Sequence, residues 1–209
     1  MIKMNSNRRL IICSEDYAGL IGAAIVGKFL KAVSGLDRSE MMFVTTSPAK
    51  LNQVTVDDDI KDIYVINVAV NAKHPEIALE FVKKHSPKIA LWVDNHPGAE
   101  ILTNLLDNQL LAHSKAFSSA QLLKMTGYTV PAEWLEAANS FANPRTCKLN
   151  MMAIRFSQAL KMAMIDKFDA DPSALIKAQD SIIEELLTNI SSATLDRYSA
   201  RYELELATA

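Results

Sequence analysis

The sequence predicts an α/β fold: a parallel sheet with helices on both faces, followed by a mostly helical C-terminal part. Three observations carry that reading. Four apolar runs, at residues 10–13, 41–45, 63–68 and 89–93, are continuous rather than alternating, which is what strands buried on both faces require. Stretches with the apolar recurrence of a helix separate them. Composition agrees, because 49% hydrophobic and 22% charged residues are ordinary values for a globular chain and leave no reason to expect disorder or a membrane class.

The elements follow in order. After a polar lead, Leu10-Ile11-Ile12-Cys13 reads as a short buried strand, and residues 17–33 as a helix interrupted by Gly22 and Gly27. Residues 41–45 give the second strand, Asp57-Asp58-Asp59 a solvated connection, and residues 63–68 the third strand. Residues 75–84 read as a helix with Glu76, Glu80 and Lys84 on its wet side, and residues 89–93 as the fourth strand. Beyond Ser119 helix dominates, at 119–125, 131–141 and 151–168. Asp171 then offers an N-cap and Pro172 the first position of a further helix. Along it Ile176, Ile183 and Ile190 recur every seven residues, a seam for another helix. Tyr202, Leu204 and Leu206 alternate afterwards and leave a short strand open. The division expected is an α/β domain over 1–168 and a linker-type helix with tail over 169–209.

Several classes are disfavoured. No apolar run approaches the ~18–20 residues of a spanning helix, and the first ten residues lack the apolar core of a signal peptide, so a cytoplasmic protein is expected. Cys13 and Cys147 have no partner at metal-ligand spacing and read as small buried hydrophobes. A net charge of −2 provides no global field for gripping long nucleic acid.

In parallel sheets of this kind the ligand crevice lies beyond the carboxyl ends of the strands. Ser14 to Gly19, Asn67 and the stretch Asp94-Asn95-His96 all fall there. The last belongs to "LWVDNHPG", residues 91–98, where a buried run ends abruptly in a carboxylate, an amide and an imidazole before Pro97 and Gly98 turn the chain.

"LWVDNHPG" resembles the signature of the DHH phosphoesterases, in which a strand ends in Asp-His-His and helps to hold a pair of manganese ions. "CSEDYAGLIGAAIVGKFL" resembles that family's first motif, His-x-Asp-x-Asp-Gly before a helix rich in small residues. "YVINVAV" sits where the second motif ends a strand in one Asp, "AFSSAQLLKMTG" resembles the helix after the signature, and "EAANSFANP" resembles a fourth motif that closes in Asp. The order and spacing agree over roughly residues 8–145. The resemblance implies an exopolyphosphatase-like or small-oligonucleotide phosphodiesterase branch.

The departures bear directly on the chemistry. Asp16, Asp94 and His96 match the family's metal positions, whereas Ser14 stands for a histidine, Ala18 for an aspartate, Asn67 for an aspartate, Asn95 for a histidine and Asn143 for an aspartate. Divalent manganese takes carboxylate and imidazole ligands, and two ions together polarise a phosphoryl oxygen and activate water. Asparagine keeps the shape of aspartate without its charge, and alanine offers no ligand atom, so a degenerate centre is expected. Misalignment by one residue, or one weakly held ion on Asp16, Asp94 and His96, is the alternative.

Each residue also has a plainer reading. Asp16 suits a helix N-cap, and Asn67 and Asn143 suit chain turns because asparagine tolerates left-handed backbone. His96 before Pro97 suits a hydrogen bond to a backbone carbonyl. His74, His85 and His113 read as ordinary surface residues, and Trp92 and Trp134 as core or interface. What favours function is that the candidates share one rim.

Most members of the family it resembles carry a second domain whose glycine-rich loop binds the substrate phosphate. The last glycine here is Gly127, so that loop is not expected in this sequence, although "DPSALIKAQDSIIEELLTNISSATLDRY" resembles the connecting helix. Its isoleucine seam predicts a homodimer. The functional expectation is a metal-poor DHH-like module that binds a nucleotide or other phosphorylated small molecule through Ser14, Asp16, Asn67, Asp94, Asn95, His96 and Asn143, with no resident cofactor. The rival is a manganese-dependent phosphoesterase in which Asp94 and His96 are catalytic, and a third reading is a structural interaction subunit.

Overall fold

The computed structural model describes residues 8–107 and 110–142. Five strands form one sheet in the order β2-β1-β3-β4-β5, every neighbouring pair parallel. They are β1 (Arg8–Cys13), β2 (Met41–Thr45), β3 (Ile60–Ile66), β4 (Ile89–Asp94) and β5 (Leu111–His113). The helices are α1 (Tyr17–Ser34), α2 (Glu76–His85), α3 (Ser119–Met125) and α4 (Ala132–Ala142). The α/β class read from the sequence is the class observed.

The strands are buried on both sides. Ile11, Cys13, Ile66 and Val93 face α1, α3 and α4, while Leu10, Ile12, Val65 and Trp92 face α2 and the short 3-10 turns that hold Leu51 and Leu102. Sealing a side chain such as Ile11, which is 0% exposed, contributes roughly 2 kcal/mol of transfer free energy. The helix α1 lies close on the sheet because its inner face is built of small residues. A Cβ on Gly22 would stand 2.3 Å from Cγ2 of Ile66, so glycine is what permits that approach.

Strand order follows from handedness. The crossover from β1 through α1 leads one way to β2, and that from β3 through α2 leads the other way to β4. Right-handed crossovers running in opposite directions put their helices on opposite faces, and the chain therefore parts between the carboxyl ends of β1 and β3. That is the switch point at which such sheets open a crevice.

The observed boundaries correct several expectations. The third strand starts at Ile60 and stops at Ile66, because Asn67 takes φ +58° and breaks the extended backbone. β5 was not foreseen: its three residues pair with β4 at Trp92↔Leu111, Val93↔Ala112 and Asp94↔His113. His85 is not a surface residue. It is 9% exposed, with its ring 4.8 Å from that of Phe81, and burial holds its pKa below the usual histidine value. Asp57 and Asp59 form ion pairs with Arg8 rather than standing in water alone. Trp92 is core, as expected, and Trp134 is half-buried beside the ammonium of Lys28, 4.6 Å from its ring centroid. The domain division at 168, the isoleucine seam, Cys147 and Asn143 lie outside the described residues.

Candidate functional site

Two sets of polar side chains occupy the carboxyl edge of the sheet. The first bridges β1 and β3. Asp16 is the N-cap of α1: its Oδ1 accepts from the backbone N–H of Gly19 at 2.9 Å and from the hydroxyl of Ser14 at 2.8 Å. Across the switch point, Asn67 Nδ2 donates to Ser14 Oγ at 3.0 Å and lies 3.2 and 3.3 Å from the two carboxylate oxygens of Asp16. Its Oδ1 accepts from Ser119 Oγ at 2.6 Å, which ties α3 to the same network.

The backbone makes this arrangement possible. The Asn67 N–H reaches the carbonyl of Val93 at 2.7 Å, and the Ser14 N–H reaches that of Ile66 at 3.1 Å, so the sheet's pairing runs to the crevice before it opens. Asparagine at 67 holds left-handed backbone, as its plainer reading expected, and its amide donates into the cluster. Gly19 is required as well. A Cβ there would fall 2.3 Å from Ser14 Oγ and 2.4 Å from the Ser14 carbonyl oxygen.

The second set stands at the end of β4. Asp94 is 0% exposed, and its Oδ1 accepts from the His96 Nδ1–H at 2.7 Å and the His96 backbone N–H at 3.2 Å. The histidine therefore bonds a carboxylate rather than the backbone carbonyl expected. The Asp94 bond raises the His96 pKa, partial burial opposes the rise, and the charges of Asp94 and Asp16 add to it. With Nδ1 committed to Asp94, Nε2 is the nitrogen left for a ligand on this half-buried ring. Among the described residues Asp94 Oδ2 is buried with no hydrogen-bond partner, which for a carboxylate oxygen costs about 1–3 kcal/mol unless something else meets it.

Of the residues predicted from sequence, Ser14, Asp16 and Asn67 come together in one network, Asp94 and His96 form a dyad, and the charge of Asp16 is felt at His96. Asn95 is half-buried and joins neither set. Two residues were missed. Ser119 contributes the bond to Asn67, and the only hint of it was the Ser118-Ser119 pair opening α3, where Ser118 is the N-cap. His113, read as a surface residue, lies half-buried in β5 with Nε2 3.0 Å from the His96 carbonyl oxygen.

Manganese pairs fit these residues poorly. Among the described residues no group of three or more His, Cys, Asp or Glu is placed to hold a metal ion. The Asn67 amide also presents hydrogens, the positive end of its dipole, to the carboxylate that a cation would need. This orientation is the one the network demands, because Asp16 can only accept and Ser119 donates to the opposite end.

No protein-family model matches the chain, and no curated protein matches it. Among solved structures, it is similar to an uncharacterized protein from Helicobacter pylori G27, with TM-score 0.45 and 10% identity over 95% of this chain and 69% of that one. It is similar to exonuclease RecJ bound to manganese, with TM-score 0.47 and 12% identity over 94% of this chain and 60% of that one. It is similar to RecJ in complex with Mn2+ from Thermus thermophilus, with TM-score 0.45 and 11% identity over 94% of this chain and 34% of that one. The chain thus spans less than two thirds of the length of either RecJ chain. The likeness is one of overall shape and gives no residue of this chain a role. What fold and site define together is a parallel α/β domain with a hydrogen-bonded polar cluster at the switch point of its sheet. No helix among the described residues is long and apolar enough to cross a membrane.

Proposed function

We propose that the crevice between β1 and β3 binds a phosphorylated small molecule, a nucleotide being the leading class, and that it does so without a manganese pair. The observation that carries this reading is the Asn67 amide, which donates to Ser14 and Asp16 at the point where a two-metal site would need bare anionic oxygens. An aspartate there would repel Asp16 and invite a cation. An asparagine neutralises the demand for one. His96 supplies the complementary feature: a ring fixed through Nδ1, with a raised pKa that favours the imidazolium, whose Nε2–H suits an anionic oxygen. On this reading the chain is a degenerate DHH-like module rather than a hydrolase.

One observation favours the rival phosphoesterase. Asp94 Oδ2 is buried and has no partner among the described residues, as a carboxylate oxygen reserved for a cation would be. On that reading Asp16, Asp94 and His96, which do not stand as a metal-holding group among the described residues, would have to converge on the ion, which would supply Lewis-acid polarisation of the phosphoryl group.

Calorimetric titration separates the two. With AMP, ADP or inorganic phosphate in the presence of EDTA, the expected outcome is saturable binding that His96→Ala weakens by about tenfold. Micromolar binding of two manganese ions, together with manganese-dependent release of phosphate from polyphosphate or of mononucleotide from a dinucleotide that Asp94→Ala abolishes, would overturn the proposal and establish the hydrolase.

A further inference from the structure

The turn that carries His96 is held from outside as well as from within. Asp94 takes the His96 N–H, and on the far side of the residue the His96 carbonyl meets His113 Nε2 at 3.0 Å. A carbonyl oxygen only accepts, so His113 must carry its proton on Nε2. Two residues on, the Gly98 N–H donates to Glu100 Oε2 at 2.8 Å, and Glu100 Oε1 pairs with Lys115 at 2.8 Å. The Glu100 carboxyl is pulled down to about 2, first by Lys115 and then by the backbone N–H groups of Glu100 and Gly98. His113 ends β5 and Lys115 follows two residues later, so one fastener is the last residue of a short strand and the other lies just beyond it.

From this geometry we infer that His113 is a positioning residue for the proposed ligand site. Its bond to the His96 carbonyl, made from the strand position paired with Asp94, fixes the backbone from which the imidazole reaches Asp94. The inference rests on the binding role given to His96 above. It also gives the three-residue strand β5 a role. Leu111 and Ala112 supply register beside Trp92 and Val93, and His113 then falls level with Asp94. Lys115 and Glu100 are both more than half exposed, so their pair contributes little on its own and serves as a second tether.

The test uses the whole chain. His113→Phe and His113→Val remove the donor, and His113→Gln keeps an N–H able to reach the carbonyl. At fixed pH, 15N spectra of the His96 ring report whether Nδ1–H still bonds the Asp94 carboxylate, and titration with AMP reports affinity. The donor-less variants are expected to remain folded, to lose the hydrogen-bonded Nδ1 signature of His96, and to bind AMP about tenfold more weakly. His113→Gln is expected to restore both. Valine suits a strand and serves if phenylalanine does not fold. An unchanged His96 spectrum in the donor-less variants, or glutamine behaving like valine, overturns the inference. If the unmodified protein binds no AMP, the binding role of His96 falls, while the spectra still decide whether His113 positions the ring.

Discussion

The two ends of the sheet meet the same electrostatic problem with different chemistry. At the amino edge, Arg8 grips Asp57 and Asp59 at 2.9 and 2.7 Å, Arg9 holds Asp62 at 2.6 Å, and the Lys88 ammonium reaches the carbonyls of Asp57 and Asp58. Guanidinium is permanently charged, so those pairs are insensitive to ordinary pH and leave nothing to exchange. At the carboxyl edge no arginine takes part in the described networks. Asp16 is satisfied by a hydroxyl, an amide and a backbone N–H, and Asp94 meets an imidazole through one of its two oxygens. The first edge is built to stay as it is. The second is built from groups that a ligand can compete for, and it lies where parallel sheets bind ligands.

The sharpest way to break the contrast is Gly19→Ala. Its Cβ would stand 2.3–2.7 Å from three atoms of Ser14, two of them backbone, so α1 has to withdraw from the crevice. We expect a loss of about 3 kcal/mol in chemical denaturation, together with loss of AMP binding. The amino edge should be untouched.

Asn67→Asp comes next. The change removes the donor to Ser14 and sets a second carboxylate beside Asp16, and destabilisation on the order of 2 kcal/mol is expected at neutral pH. If the native amide stands where a cation once bound, millimolar manganese should recover part of that loss in this variant and add nothing to the unmodified protein. Equal stabilisation of both would remove the contrast between the edges.

Smaller effects follow with pH. The His96 pKa is raised by Asp94, so the stability this pair contributes is fully present below the ordinary histidine value of ~6.5 and is lost as pH rises through the raised value. His85 has the opposite sign. Burial depresses its pKa, so its neutral packing is fully present above the ordinary value and is lost as pH falls below it. Denaturation series between pH ~5 and ~8 should show Asp94→Asn flattening the alkaline arm and leaving the acid arm in place. The least effect is expected from Arg8→Gln, whose partners are partly exposed; its change in midpoint should shrink as salt is raised.

Sequence alone located the strands that are buried on both faces, because a continuous apolar run such as Leu10-Ile11-Ile12-Cys13 has few other uses between two polar loops. It located Ser14, Asp16 and Asn67 for a related reason: polar residues at the ends of such runs lie at the mouth of the sheet. β5 escaped because Leu111-Ala112-His113 has no pattern of its own and exists through its pairing with β4. His85 escaped because it sits in the basic last turn of α2 beside Lys83 and Lys84, and only the packing of Phe81 against the sheet turns it inward. Ser119 escaped because its bond to Asn67 spans 52 residues of chain, a contact that local pattern does not encode.

The left-handed backbone at position 67 carries a consequence for variation. At φ +58° a β-branched or bulky side chain would be strained by roughly 1–2 kcal/mol, and only glycine, asparagine and aspartate settle there with ease. Glycine would satisfy the backbone but leave the hydroxyls of Ser14 and Ser119 without the amide that joins them. Substitutions sampled at this codon are thus screened twice, once by torsion angle and once by hydrogen bonding, and asparagine is the residue that passes both.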